Sequence, residues 1–139
     1  MATGGVIRLF VLFLVALLYG VAGYAHLATP APFIAITPHW VPWPEAVIRW
    51  TGIAEMIGAA ALLQPVLSWL RQAAAIGLAL YALCVWPANF HHFALDMARN
   101  DGGWGLAYHI PRLALQPLII WAPLWASRLV DWPCASRKD

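Results

Sequence analysis

Four stretches of nearly unbroken apolar residues divide the chain, at about residues 6–26, 46–63, 70–90 and 113–130. Each approaches the roughly 20 residues that an α-helix needs to cross about 30 Å of hydrocarbon. In lipid every backbone polar group must find its partner inside the spanning structure, so isolated runs of this length predict helices. The pattern predicts an all-α integral membrane bundle of four transmembrane helices, forming a single domain over residues 1–139. The first run has Arg8 near its start and the small residues Gly23 and Ala25 near its end, as a secretion signal would. It exceeds a signal core of roughly 7–15 apolar residues and is expected to stay in place as a transmembrane helix.

The links between these runs differ in kind. Gln64 to Trp69 is short, which makes the second and third helices antiparallel neighbours. Between the first two helices, Pro30, Pro32, Pro38, Pro42 and Pro44 deny the backbone regular hydrogen bonding. Phe33, Ile34, Ile36, Trp40 and Trp43 make the same segment too apolar for free solvation, so it is expected to lie in the membrane interface as a lid. The link from His91 to Pro111 carries Asp96, Arg99, Asp101 and the Gly102-Gly103 pair and reads as the most aqueous. With the N-terminus inside, the cytoplasmic ends hold Arg8, Arg71, Arg128, Arg137 and Lys138, against Arg49, Arg99 and Arg112 outside. That bias predicts an N-in/C-in arrangement.

Composition strengthens the membrane reading. Hydrophobic residues make up 63% of the chain and charged residues 10%, against roughly 25% charged in a soluble domain. Such a chain cannot clothe its own surface in polar groups, and lipid is the solvent that resolves this. A net charge of +2 without a basic-aromatic stretch excludes a nucleic-acid partner. Cys84 and Cys134 form no CxxC pair and supply no dithiol chemistry.

Polar residues within the apolar runs are the candidates for chemistry, because each is costly to place in hydrocarbon. Glu55 lies about nine residues into the second run, or ~13 Å deep at 1.5 Å per residue. A carboxyl group there suits proton handling or the gripping of a ligand. Arg112 and Gln116 are spaced i,i+4 and share a helix face, so they form a donor pair, and Arg112 is the expected partner of Glu55. Arg49 is six residues from Glu55 and on a different face. Tyr81, Asn89 and His92 belong to a third helix that Pro87 interrupts, an arrangement suited to lining a cavity. His26, His39, His91, His92 and His109 all fall toward the outer end, where imidazole could ligate a metal or shuttle protons. Adjacent His91 and His92 point about 100° apart on a helix.

The run Ala22-Gly23-Tyr24-Ala25-His26-Leu27, with Pro32-Phe33 and Thr37-Pro38-His39-Trp40-Val41-Pro42-Trp43-Pro44, resembles the DoxX-like family of small four-helix membrane proteins. Thr51-Gly52-Ile53-Ala54-Glu55, Trp86-Pro87-Ala88-Asn89 and Arg112-Leu113-Ala114-Leu115-Gln116 extend the resemblance in the same order. The resemblance implies a bacterial inner-membrane location. It also implies a quinone-linked redox role, as in a subunit associated with thiosulfate:quinone oxidoreductase, or an assembly-chaperone role as in distant eukaryotic relatives.

The leading expectation is therefore a quinone-linked oxidoreductase or redox-complex subunit, binding a small apolar ligand in the outer half of the bundle. Glu55, Arg112 and Tyr81 would be catalytic, and Gln116, Asn89, His26, Arg49 and Trp43 would bind substrate. The alternatives are a non-catalytic membrane partner or assembly chaperone, and a metal- or haem-binding protein using His26, His91 and His92. Besides the bilayer, a redox enzyme or a second copy of the chain is the expected partner.

Overall fold

The computed structural model describes residues 3–132. Cys134, Arg137 and Lys138 lie outside the described residues. Five helices follow one another: α1 (Thr3–Ala28), α2 (Pro30–Ile36), α3 (Pro44–Leu63), α4 (Ser68–Ala98) and α5 (Leu106–Ala126). Among the described residues, three helices are long and apolar enough to cross a membrane: Gly4–Ala28, Pro44–Leu63 and Ser68–Ala98. The fourth expected span, α5, has 21 residues but does not join them. His109, Arg112, Gln116 and three prolines dilute its apolar character.

The four long helices pack in the cyclic order α1, α3, α4, α5, with the closest association between α1 and α3. That association rests on bare backbone. A Cβ added at Gly23 would fall 2.6 Å from the Gly52 carbonyl oxygen, and one at Gly52 would fall 2.8 Å from the His26 Cβ. Small residues permit this approach, which van der Waals packing then rewards.

Two arginines tie off helix ends where backbone groups lack intrahelical partners. Arg71 donates to the carbonyls of Leu62 and Gln64 at the end of α3. Arg8 donates to the Trp125 carbonyl and pairs with Asp131, joining the start of α1 to the end of α5. Short α2 forms inside the segment expected to be a proline-broken lid, because Pro30 falls in its first turn, where a missing N–H is harmless. It touches α1, α3 and α4 and so lies across the end of the bundle where α1 ends and α3 begins.

The interior is unlike at its two ends. Leu12, Val15, Ala16 and Tyr19 of α1 pack with Ala59 and Leu62, Ala75 and Leu78, and Ala122 and Ala126 as one apolar core. All of them belong to the half holding the starts of α1 and α4. The other half buries His26, Glu55, Asn89, His92, Asp96, His109 and Gln116. Outward faces carry exposed Phe10, Phe13, Leu17, Val21, Ile57, Leu80 and Leu118, as lipid contact demands and water would penalise.

Two boundaries differ most from the sequence expectation. Helix α4 continues eight residues past Phe90, and α5 begins at Leu106 rather than at residue 113. The supposed aqueous link thus shrinks to residues 99–105, and His91, His92, Asp96 and His109 become helical. The polarity of His92, Asp96 and His109 is absorbed by pairing with one another rather than by water.

Candidate functional site

A cavity of about 370 Å³ opens between α1, α3, α4 and α5 in the half of the bundle that α2 covers, roofed by α2 and the segment after it. Its walls are mostly apolar, with Phe33, Ile36, Trp40 and Val41 contributed by the roof. This size suits a small organic molecule. Six residues singled out from the sequence line it together: His26, Glu55, Tyr81, Asn89, Arg112 and Gln116.

Glu55 is only 3% exposed, yet its expected partner Arg112 is not beside it. The carboxyl oxygen Oε2 instead lies 2.9 Å from His26 Nδ1. The two atoms are close but not aligned for a hydrogen bond, and among the described residues neither has another partner. The pairing follows from the Gly23–Gly52 crossing, since His26 and Glu55 each sit three residues beyond one of these glycines on their own helices. The imidazole ring is held edge-on against Phe33 of α2, with centroids 4.2 Å apart. Tyr81 turns its hydroxyl toward Glu55 and Thr51, and Tyr19 donates to the Leu78 carbonyl at the cavity floor.

The opposite wall is a closed hydrogen-bond network. Asn89 Nδ2 donates to Gln116 Oε1 at 3.2 Å, and Gln116 Nε2 donates to the Ala82 carbonyl at 2.6 Å. Ala82 lies just over one turn before Pro87, where the proline loosens the helical ladder. Arg112 NH1 lies 2.9 Å from His92 Nδ1, and its guanidinium stands 5.6 Å from the centre of the Tyr108 ring. Among the described residues no carboxylate comes within ion-pair distance of Arg112.

Two proposed binding residues fall outside this cavity. Trp43 takes a left-handed backbone (φ 47°) before α3, and its ring is 80% exposed. Its neighbour Trp40 lines the cavity in its place. Arg49 faces a separate surface groove with Glu45, as its position six residues from Glu55 dictates. The histidines of the expected metal set are likewise dispersed. His26 is engaged with Glu55, and His91 faces His39 with ring centroids 6.4 Å apart.

A second polar cluster, beside the cavity, was missed. Asp96 Oδ2 accepts from the Trp104 backbone N–H at 2.9 Å, and lies 2.9 Å from His109 Nε2 and 3.5 Å from His92 Nε2. Gly102, Gly103 and Gly105 all have positive φ, which folds the loop back over this carboxylate. Any Cβ at Gly103 would collide with the Asp96 carboxylate. The available signal was the i,i+4 pair His92 and Asp96 followed by the glycine-rich turn. Polarity had placed it in a loop. In that loop Arg99 makes a two-pronged contact with Asp101, which holds the Asp101 carboxyl well below the usual carboxylate range.

The family model described as Domain of unknown function (DUF8561) matches residues 15–126, from the apolar core of α1 to the end of α5. The chain belongs to that family. No curated protein and no solved structure matches it. This finding overturns the DoxX-like resemblance. The motifs that carried it are accounted for by packing in any small helical bundle: glycines at a close crossing, a proline-rich cap and a few paired buried polar groups. The DUF8561 match covers both cavity walls and the Asp96 cluster.

Proposed function

We propose that this DUF8561 protein is a four-crossing membrane protein whose outer-half cavity binds a small, mainly apolar molecule bearing a carbonyl or hydroxyl group. Quinones are the class that fits best. The observation that carries this reading is the convergence of His26, Glu55, Tyr81, Asn89, Arg112 and Gln116 on one apolar-walled cavity. Arg112 is the donor without a carboxylate partner, and it would hold the carbonyl. Reduction of a quinone to a quinol takes up two electrons and two protons. In this reading the His26–Glu55 pair relays the protons, and a partner redox protein supplies the electrons.

At roughly 1.5 Å per residue, the 21 residues of α5 reach about 31 Å, which supports a fourth crossing. Its buried Gln116 and His109 face the interior rather than lipid. We place both termini on the cytoplasmic side of the membrane, on the distribution of Arg and Lys residues. An impermeant thiol reagent applied to intact cells should label a cysteine introduced at Asn100 and spare one introduced at Val66; the reverse pattern overturns this orientation.

The closed Asn89–Gln116–Ala82 network favours a second reading, in which the buried polar groups only specify helix packing and the protein serves as a non-catalytic membrane partner. Solvent extraction of gently purified protein, followed by mass spectrometry, separates the two. Ligand binding predicts a co-purifying small apolar carbonyl compound that disappears when Ala88 in the cavity wall is replaced by Phe. Equal recovery from both proteins contradicts it.

A further inference from the structure

His92, Asp96 and His109 bring two imidazoles and one carboxylate together, one ligand atom from each, all within 4.8 Å of one another. Each residue is buried, His109 completely. We infer that this cluster is a binding site for a divalent first-row transition metal ion of the zinc type. The inference does not rest on a ligand in the cavity, although Arg112 borders both sites.

The donor set and spacing support it. Two histidines and a carboxylate are a common ligand set for zinc and for non-haem iron. Ligand atoms about 2.0–2.1 Å from zinc stand roughly 3.3 Å apart at tetrahedral angles. His109 Nε2 and His92 Nε2 lie 2.9 and 3.5 Å from Asp96 Oδ2, on either side of that spacing. The two imidazole rings meet edge to face, 4.9 Å between centroids and 87° between planes, so they approach closely without stacking. His92 and Asp96 also line a cleft at the outer surface, beside Arg99, Trp104, Tyr108 and Arg112. The cleft gives an ion a way in and leaves room for a fourth, exchangeable ligand.

Arg112 sets a condition on metal binding. Its guanidinium remains protonated and donates to His92 Nδ1, which leaves the single ring proton on Nε2. A metal on Nε2 displaces that proton, and neutral His92 then carries its hydrogen on Nδ1, where it can no longer accept from Arg112. Arg112 therefore has to turn away as the metal binds. Replacing it with Gln removes a repelling cation and offers an amide oxygen that can accept from Nδ1–H, the kind of support that metal-bound histidines usually have.

Full-length protein, purified in detergent and stripped with chelator, should be titrated with Co²⁺ while its d–d absorption is followed, then challenged with Zn²⁺. The expected result is saturation at about one Co²⁺ per chain with loss of the bands on adding Zn²⁺. Asp96→Asn and His109→Gln should each weaken binding by at least about tenfold. His91→Gln should leave it unchanged, and Arg112→Gln should tighten it. Asp96 also holds the loop, so its variant needs unchanged helicity to count; if it fails to fold, the wild-type titration and the His109 variant decide. Wild-type protein without Co²⁺ bands overturns the proposal, as does equal loss of binding in the His91 variant. In either case the cluster is a hydrogen-bonded joint between α4 and α5.

Discussion

His26 Nδ1 and Glu55 Oε2 lie 2.9 Å apart inside the bundle, without the alignment of a hydrogen bond and without other partners among the described residues. Two ionisable groups held this way can exchange a proton between them or with a bound molecule. Glu55→Gln keeps the shape and a polar contact to the ring, and is expected to change stability by less than about 1 kcal/mol while abolishing any proton-coupled activity. Glu55→Ala leaves His26 facing apolar walls and should cost about 1–3 kcal/mol. Chemical unfolding in detergent micelles checks both, and a Gln variant as destabilised as the Ala variant would mean that the ionisable group itself, not its shape, holds the fold.

The pair depends on how closely α1 and α3 cross. At Gly23 an added methyl group meets the Gly52 carbonyl at 2.6 Å, a backbone atom that cannot rotate aside. Gly23→Ala should therefore destabilise the fold by about 1–3 kcal/mol and separate His26 from Glu55. Gly77 in α4 has nothing within 4 Å of its Cβ position. Gly77→Ala should be neutral or stabilising by up to about 1 kcal/mol. Melting temperatures of the two variants should move in opposite directions or differ clearly.

Gln116 joins two elements through two hydrogen bonds, one to Asn89 and one to the Ala82 carbonyl. Gln116→Leu strands both partners in an apolar wall, with an expected loss of about 1–3 kcal/mol. The double replacement Asn89→Leu and Gln116→Leu should cost less than the sum of the single changes, because the second removes a group already unpaired. A double-mutant cycle by chemical unfolding measures the coupling.

The Arg99–Asp101 contact makes the α4–α5 loop sensitive to acid. Because the native Asp101 carboxyl is held below its ordinary value, chiefly by the Arg99 hydrogen bonds, the ionised form stabilises the loop above that ordinary value. This contribution is lost only as pH falls through the depressed native value. Gly103 N–H donates to Asp101 Oδ1 at 3.0 Å and reports on the loop. Hydrogen exchange at Gly103, corrected for the intrinsic pH dependence of exchange, should show constant protection from neutral pH down to about pH 4. Asp101→Asn should lose that protection already at neutral pH.

Much of the fold was legible because hydrocarbon leaves little freedom. Helix α3 ends at Leu63 as expected, and six of the polar residues singled out meet in one cavity, although Arg49 does not. What the sequence hid was pairing. Glu55 found a partner on α1 because two glycines bring those helices together, whereas the i,i+4 logic that selected Arg112 concerns neighbours on a single helix. The far end of α4 was hidden for a related reason. Asp96 and His109 read as loop because each is polar, but together with His92 they form a cluster that shields its own polarity. Trp43 and Trp40 were indistinguishable by composition; the left-handed turn at Trp43 sends one outward and leaves the other on the cavity.

The central claim, that the outer cavity receives a small apolar carbonyl compound, is tested most directly by titrating a short-chain benzoquinone into the protein in lipid nanodiscs. Tryptophan fluorescence provides the signal through Trp40 in the cavity wall. The account predicts saturable quenching in the wild type, loss of its specific component in Trp40→Phe, and at least about tenfold weaker binding in Ala88→Phe, which fills the cavity without removing a polar group. Non-saturable quenching, or the same affinity in Ala88→Phe as in the wild type, would contradict it.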